Sequence, residues 1–265
     1  MVVKRRKVVN ASAAERRAER PRWIYGINAV ARRLAVRPSS LQALHVLPGA
    51  SARRAQLAQA ARRSGIAVRE SDAETLRRLT GSDVHQGVAA LAEPYAYADL
   101  HAVLAAAAGP VLVLDQLQDP HNLGALIRTA AAVGMAAVVI PRHGAAGVTP
   151  AVEKVAAGAV NDVPVCQAAN LHRCLLDLRD LGYWSIALEP RADQNVFEIE
   201  LPERPALVLG GESGLRALIR QTCDLHAFIP LRGGVESLNA SVAGAVAMYE
   251  IARRRSGRPG PTPST

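Results

Sequence analysis

Near its C-terminal end the chain reads RGGVESLNASVAGAVAMYEIARRR (232–255), where Glu236, Ser237, Asn239 and Ser241 precede a run of small and apolar residues. Ser237, Asn239 and Ser241 are all capping types, yet one helix takes a single N-cap. The surplus leaves short hydrogen-bonding groups available to orient a ligand. Upstream, NLGALIRTAAAVG (122–134) sets Arg128 among Leu123, Gly124, Leu126, Ile127 and Ala130. A guanidinium there needs either an exit to water along its own stem or an anionic partner. Between these stretches, Gly210 and Gly211 precede Glu212 and Ser213, and paired glycines let a ligand approach the backbone closely. Such a set can bind and orient a polar or anionic group. Each member also has a plain structural reading: Asn122 caps its helix, Arg128 reaches water, and Asn239 caps the last helix.

These residues sit where alternating elements would place them. PVLVLD (110–115), AAVVIP, DVPVC, YWSIALE, PALVLGG and HAFIPLRGG read as strands. NLGALIRTAAAVG, TPAVEKVAAGA with Pro150 at its first position, LHRCLLDLRDLG, LRALIRQTC and the C-terminal run read as helices. Asn122 is the expected N-cap of the first and Gly134 its closing residue. Alternating β and α segments with near-continuous apolar strands predict a mostly parallel sheet with helices on both faces. Ligands then belong at the carboxyl ends of the strands. Before it, residues 23–92 predict a small α/β unit, with helices over INAVARRLA and RRAQLAQAARRSG and strands over LQALHVL, IAVRE and GVAALA. Residues 93–109 read as a connector plus a helix.

Composition removes several classes. The apolar residues come in short runs, so no transmembrane helix is expected. Three cysteines without C-x-x-C spacing argue against a disulfide framework and fit a reducing cytoplasm. No H-E-x-x-H or Cys/His cluster suggests a metal site, and the glycine loops match neither the dinucleotide fingerprint nor the P-loop. The start lacks the apolar segment of a secretory signal, and Glu15 and Glu19 argue against a mitochondrial transit peptide. Net charge is +9, with +6 on residues 1–22 and +4 on residues 253–265, which leaves −1 on the body. Basic tails on a near-neutral body suit a polyanion. Aromatic residues are only 3% of the chain and scattered, which excludes base-stacking sheets of the RRM or OB type. An RNA partner would be met by charge, shape and a specific pocket.

The three loop stretches together resemble the SpoU/TrmH-type members of the SPOUT class, the S-adenosylmethionine-dependent RNA ribose 2′-O-methyltransferases. Asn122 to Arg128 matches the family's N-L-G-x-x-x-R motif, Gly210 to Glu212 its G-x-E motif, and Ser237 to Ala243 its S-L-N-x-S-x-A motif, in the same order and spacing. IYGINAV and VHQGVAAL look like the substrate-binding domain of the ribosomal-RNA members, so the resemblance spans about 22–254. One departure stands out: the loop after Glu212 is a residue shorter than the family's usual G-x-E-G-x-G-L.

The resemblance implies an α/β catalytic domain over 110–254 with a deep trefoil knot, an RNA-binding α/β domain over 23–92, a linker at 93–109, and basic tails at 1–22 and 255–265. It implies a cytoplasmic homodimer acting on a guanosine ribose of 23S ribosomal RNA, with S-adenosylmethionine as methyl donor and no metal. A tRNA ribose methylase and a non-catalytic RNA-binding protein are the rival readings. By the same resemblance Arg128 sits at the 2′-hydroxyl, acting across the subunit interface as electrostatic activator rather than literal base. Asn239 and Ser237 orient the ribose and hold Arg128, Glu212 anchors Arg128 or Asn122, and Gly210, Ile229 and Leu238 contact the cofactor. The small-residue stripe Ala240, Ala243, Gly244 and Ala247 permits close helix packing, between subunits or within one chain.

Overall fold

The computed structural model describes residues 21–256. Most of the basic N-terminal tail (Lys4, Arg5, Arg6, Lys7, Arg16, Arg17, Arg20), together with Arg258, lies outside the described residues. The first unit is a four-stranded sheet in the order β1-β4-β2-β3. Its strands are β1 (Arg22–Tyr25), β2 (Leu41–Val46), β3 (Ala67–Glu70) and β4 (Val88–Ala92). Three helices accompany it: α1 (Ile27–Val36), α2 (Ala52–Arg63) and α3 (Ala73–Thr80). β4 runs antiparallel to β1 and β2, while β2 and β3 are parallel. α2 ends where expected, at Ser64 followed by Gly65 with φ 75°. The strand β1 and the helix α3 are additions to the elements read from sequence.

After α4 (Leu100–Ala106) comes a seven-stranded sheet, β7-β6-β5-β10-β8-β11-β9, whose pairings are all parallel. Its strands are β5 (Val111–Asp115), β6 (Ala137–Pro141), β7 (Val165–Ala168), β8 (Trp184–Leu188), β9 (Gln194–Asn195), β10 (Pro205–Gly210) and β11 (Leu225–Phe228). The helices are α5 (Pro120–Val133), α6 (Pro150–Val155), α7 (Leu171–Asp180), α8 (Ala217–Thr222) and α9 (Ala240–Ser256). Strand alternation divides the core between two faces. Leu112, Leu114, Leu207 and Leu209 join Leu126, Ile127, Val152 and Met248 on one face. Val111, Val113 and Val208 join Leu175, Leu178 and Ile219 on the other. Cys166, Cys174 and Cys223 belong to this second cluster, all free and buried, and burial pushes their thiols up to about 11, 12 and 12.

Two expectations are corrected here, and a third is filled in. The helix expected over TPAVEKVAAGA stops at Val155, because Ala157 and Gly158 take positive φ (52° and 87°) and a short 3-10 turn follows at Ala159–Asn161. The segment 93–109 is the expected connector plus a helix, α4, and its connector is held against the large unit. Tyr95 Oη donates to Val160 O (3.0 Å), Tyr97 Oη accepts Val148 N–H (2.9 Å), and Ala98 pairs with Cys166. α9 runs on to Ser256, so Arg253, Arg254 and Arg255, counted above as tail charge, are helix residues. Arg253 and Arg254 pair with Glu250, and Arg255 donates to Glu203 O.

The two units meet along α1 and the turn after α6. Arg33 is fully buried, and its guanidinium donates to Ser40 Oγ (2.9 Å), Glu93 O (2.8 Å) and Asn161 Oδ1 (3.5 Å). Arg32 pairs with Asp162 beside it. Glu153 is buried in the same seam with one carboxylate oxygen unpartnered. Burial drives its pKa up against the pull of Arg33 and Arg22.

Candidate active site

Each motif begins at or near the carboxyl end of a strand of the parallel sheet. β5 closes with Asp115, a fully buried carboxylate at the end of an otherwise apolar strand. Gln116 follows with φ 53°, a left-handed conformation that costs a non-glycine residue of order 1 kcal/mol or more. The chain then enters α5. The N-cap of α5 is Asp119, whose carboxylate accepts His121 N–H (2.9 Å), with Pro120 at the first position. Asn122 therefore does not cap the helix; it lies inside the first turn and is buried. Gly134 does close α5, in the left-handed conformation. Arg128 lies on the solvent face with His121 and Ala132, while Leu123, Leu126, Ile127 and Ala130 face the core.

β10 ends beside β5, with Gly210 opposite Asp115. The following loop turns back at once: Gly211 N–H donates to Asp115 O (2.9 Å), and Gly214 N–H donates to Gly211 O (2.9 Å). The one-residue-shorter loop thus closes as a tight four-residue turn with Glu212 and Ser213 exposed at its tip. A Cβ on Gly210 would lie 2.2 Å from Gly214 C, and one on Gly211 2.6 Å from Gln116 O. Neither position tolerates a side chain without movement of backbone. Asp115 fastens the far side, accepting Arg216 N–H (3.0 Å) and Nε–H (2.9 Å), with Nη2 at 2.7 Å. Asp115, Gln116 and Arg216 were not singled out from sequence. The available signal was a lone carboxylate terminating an apolar strand.

The third loop follows β11. Ile229 is half-buried against the core, and Leu238 is half-buried just before α9. Ser237 is exposed. Asn239 Oδ1 accepts Ser241 N–H (2.9 Å) and Oγ–H (2.6 Å), so Asn239 caps α9. α9 is then laid against α5 and β10: a Cβ on Gly244 would lie 2.4 Å from Leu126 Cδ2 and 3.1 Å from Leu209 Cδ2. Ala247 is fully buried as well. Gly244 and Ala247 of the small-residue stripe are therefore used within the chain.

The structure brings Asp115, Gly210, Gly211 and Arg216 into one knit unit. It does not tie Arg128, Glu212 or Ser237 to anything. Among the described residues none of the three side chains forms a hydrogen bond or ion pair, so the expected anchoring of Arg128 by Glu212, Asn239 or Ser237 is not formed within a single chain. The side-chain-free backbone at Gly210 and Gly211, with the half-buried apolar side chains of Ile229 and Leu238, fits an adenosyl group, which presents a flat apolar face and a polar edge.

A parallel sheet with three motif-bearing loops at or near its carboxyl edge, preceded by a small mixed-sheet domain, is matched by known families. Residues 109–249 match the SpoU rRNA Methylase family, and residues 23–98 match the RNA 2′-O ribose methyltransferase substrate-binding domain. The chain belongs to the SpoU rRNA methylase family. It is 42% identical over 242 residues to the 23S rRNA (guanosine-2′-O-)-methyltransferase RlmB of Xanthomonas axonopodis pv. citri, covering 89% of this chain and 97% of that one. In fold it is similar to the SpoU methyltransferase AviRb from Streptomyces viridochromogenes, solved with AdoMet (TM-score 0.75, 22% identity, 93% and 95% of the two chains). It is similar too to a putative RNA methyltransferase of the TrmH family from Porphyromonas gingivalis (TM-score 0.73, 25% identity, 92% and 94%).

Proposed function

We propose that this protein transfers a methyl group from S-adenosylmethionine to the ribose 2′-hydroxyl of a guanosine in 23S ribosomal RNA, and that it works as a homodimer in the cytoplasm. The observation that carries the reading is the clamped double-glycine turn at the end of β10, beside the helix that bears Arg128, in a chain 42% identical to a 23S rRNA guanosine-2′-O-methyltransferase over nearly its whole length. Among the described residues no helix is long and apolar enough to cross a membrane.

S-adenosylmethionine supplies an activated methyl group on a sulfonium, which departs as a neutral thioether. The residues of this chain have two tasks. The backbone at Gly210, with Ile229 and Leu238, holds the adenosyl end. The second task is to align a ribose oxygen in line with the methyl group and to stabilise the negative charge that grows on it. Arg128 meets that task as a fixed positive charge, since a guanidinium keeps its proton. Its exposure and lack of a partner in one chain support a target supplied from outside that chain, namely RNA held by the second subunit. Ser237 and Asn239 orient the ribose, and Asn239 does so while its Oδ1 caps α9, because its amide N–H groups stay free. Glu212 and Asn122 steady the guanidinium once the site is assembled.

The trefoil knot belongs to the same proposal. β10 lies between β5 and β8, two strands laid down before it, and α9 returns from β11 to pack on α5, an order that supports a threaded path. The deciding experiment is methylation of 23S rRNA transcripts with labelled S-adenosylmethionine, followed by mapping of 2′-O-methyl sites. Label on one guanosine ribose is expected; label confined to tRNA, or none, overturns the reading. Sedimentation at micromolar concentration should show a dimer, and a fully active monomer would remove the cross-subunit role of Arg128.

A further inference from the structure

Several arginines of the fold are paired with carboxylates, among them Arg32 with Asp162, Arg179 with Asp224, Arg216 with Asp115, Arg220 with Glu189, and Arg253 and Arg254 with Glu250. One corner instead gathers three cations without such partners. At the end of the small sheet where β1 and β2 finish and β4 begins, Arg53 and Arg54 open α2, and Lys154 reaches in from α6 of the other unit. None of these three has a carboxylate within ion-pair distance among the described residues.

The corner is one continuous surface. The Lys154 stem lies over Gly26, with Cγ 3.1 Å from where a Cβ would stand, and Gln86 Oε1 is 3.3 Å from the same point. Gln86, at φ 58°, turns its Oε1 to accept Ile27 N–H (3.0 Å). The next residue, Gly87, lies against Arg54, with Cδ 3.0 Å and Nη1 3.2 Å from its Cβ position, and Arg54 Nη2 is 3.5 Å from that of Gly49. Arg53 donates to Asn28 Oδ1 (2.5 Å). Arg54 Nε is buried without a hydrogen-bond partner. A guanidinium with a desolvated, unpaired nitrogen costs free energy unless an anion compensates its charge. The acids nearby are engaged elsewhere or turned away. Asp162 holds Arg32, Asp72 caps α3, Glu153 is buried toward Arg33 and Arg22, and Glu70 is exposed at the β3 edge, with β2 between it and β4.

We infer that this corner is a grip for the sugar–phosphate backbone of the RNA substrate, with Arg53, Arg54 and Lys154 as phosphate ligands and Asn28 and Gln86 as neutral hydrogen-bonding neighbours. This rests on the reading of the protein as an RNA methylase and adds to it the place where the RNA is held away from the reacting ribose. The corner spans both units, because Lys154 and Val155 are adjacent in α6. Val155 packs on Gly124 of α5, the helix of Arg128, where an added Cβ would lie 2.7 Å from Val155 Cβ. The grip and the reacting helix therefore share one rigid brace.

The test compares two double variants that each remove two positive charges. Arg53→Ala/Lys154→Ala takes them from the corner; Arg62→Ala/Arg63→Ala takes them from the exposed far end of the same α2. Binding to a 23S rRNA fragment is measured across a salt series, with cofactor affinity and single-turnover methylation at saturating RNA on the same preparations. The corner variant should bind roughly tenfold or more weakly, and its salt slope should fall by about two. KM for RNA should rise with kcat and cofactor affinity unchanged. The far-end variant should keep a near-normal slope. Equal slopes for the two variants, or an unchanged corner variant, overturn the inference. If the wild type binds no 23S fragment, the substrate assignment fails, and the same comparison is made on the RNA it does bind. Absence of any RNA binding by the wild type removes the grip as well.

Discussion

The loops after β10 and β11, both assigned to the proposed methyl-transfer site, are built in opposite ways. The first is closed from every side: its glycines rest on backbone, its turn is pinned by Gly214 N–H to Gly211 O, and Asp115 grips Arg216 by three contacts. The second leaves Ser237 and Asn239 exposed, with the cap of α9 as the hydrogen bond made by its polar side chains. A rigid loop suits a ligand of constant shape, which for the proposed reaction is the methyl donor. An open loop suits a partner that arrives with its own groups, such as a ribose and the neighbouring subunit. On the proposed reading, preorganisation is placed where the ligand never changes.

The largest expected effect is on the open side. Arg128→Ala should leave a folded, cofactor-binding protein whose turnover drops by about 10²–10³, read by single-turnover methylation. Arg128→Lys should fail largely too, because an ammonium lacks the planar fork of donors. At Asn239 two roles coincide and two substitutions separate them. Asn239→Ala removes cap and amide together, costing about 1 kcal/mol of stability as well as turnover. Asn239→Asp keeps an acceptor for Ser241 N–H and should melt near the wild type while turnover still collapses. An active Asn239→Asp would reduce Asn239 to its cap.

Next comes Gly210→Ala on the closed side. Its Cβ would stand 2.2 Å from a backbone carbon, so the turn must open. A cost of about 1–3 kcal/mol is expected, seen as a lower Tm and, by titration calorimetry, a weaker cofactor affinity. If cofactor affinity is unchanged, the closed loop is structural and the contrast between the two loops dissolves. Arg216→Ala should act in the same direction but more gently, about 1–2 kcal/mol, since the backbone N–H of residue 216 still reaches Asp115.

The smallest effect concerns how α9 is held at its other end. Hydrogen bonds from Arg253, joined by Arg254, hold the Glu250 carboxyl at about 2, well below its ordinary 4.5. A lowered folded-state pKa contributes stability above pH 4.5 that is lost as pH falls toward 2. Arg253 is mostly exposed and water screens it, so the loss should be at most about 1 kcal/mol. Glu250→Gln should remove that acid slope from a Tm-against-pH series without touching turnover at neutral pH. Glu153 works in the opposite sense: its raised pKa means that acidification relieves a buried charge.

The strands legible in sequence were those with continuous apolar runs, because burial on both faces writes an unambiguous pattern. β1, of four residues, and α3, which buries only Leu76, carry too little pattern to be read. Asn122 was misplaced because Asp119, three residues earlier, is an equally good cap and is followed by Pro120. The motif residues of the site were legible as types at spacings, and their loops were placed correctly at or near strand ends. The clamp of Asp115 on Arg216 was not, since it joins residues a hundred positions apart that become neighbours only through the β5–β10 pairing.

The three cysteines carry a consequence of their own. Cys166, Cys174 and Cys223 share one face of the large sheet, and their thiols are held almost wholly protonated at neutral pH. A thiol reagent attacks the thiolate, so it reacts at an appreciable rate only when that face comes apart. The native chain thus carries its own tamper seal: labelling rate in the absence of denaturant times the opening of one face of the sheet, while the face that carries α5 and α9 stays silent.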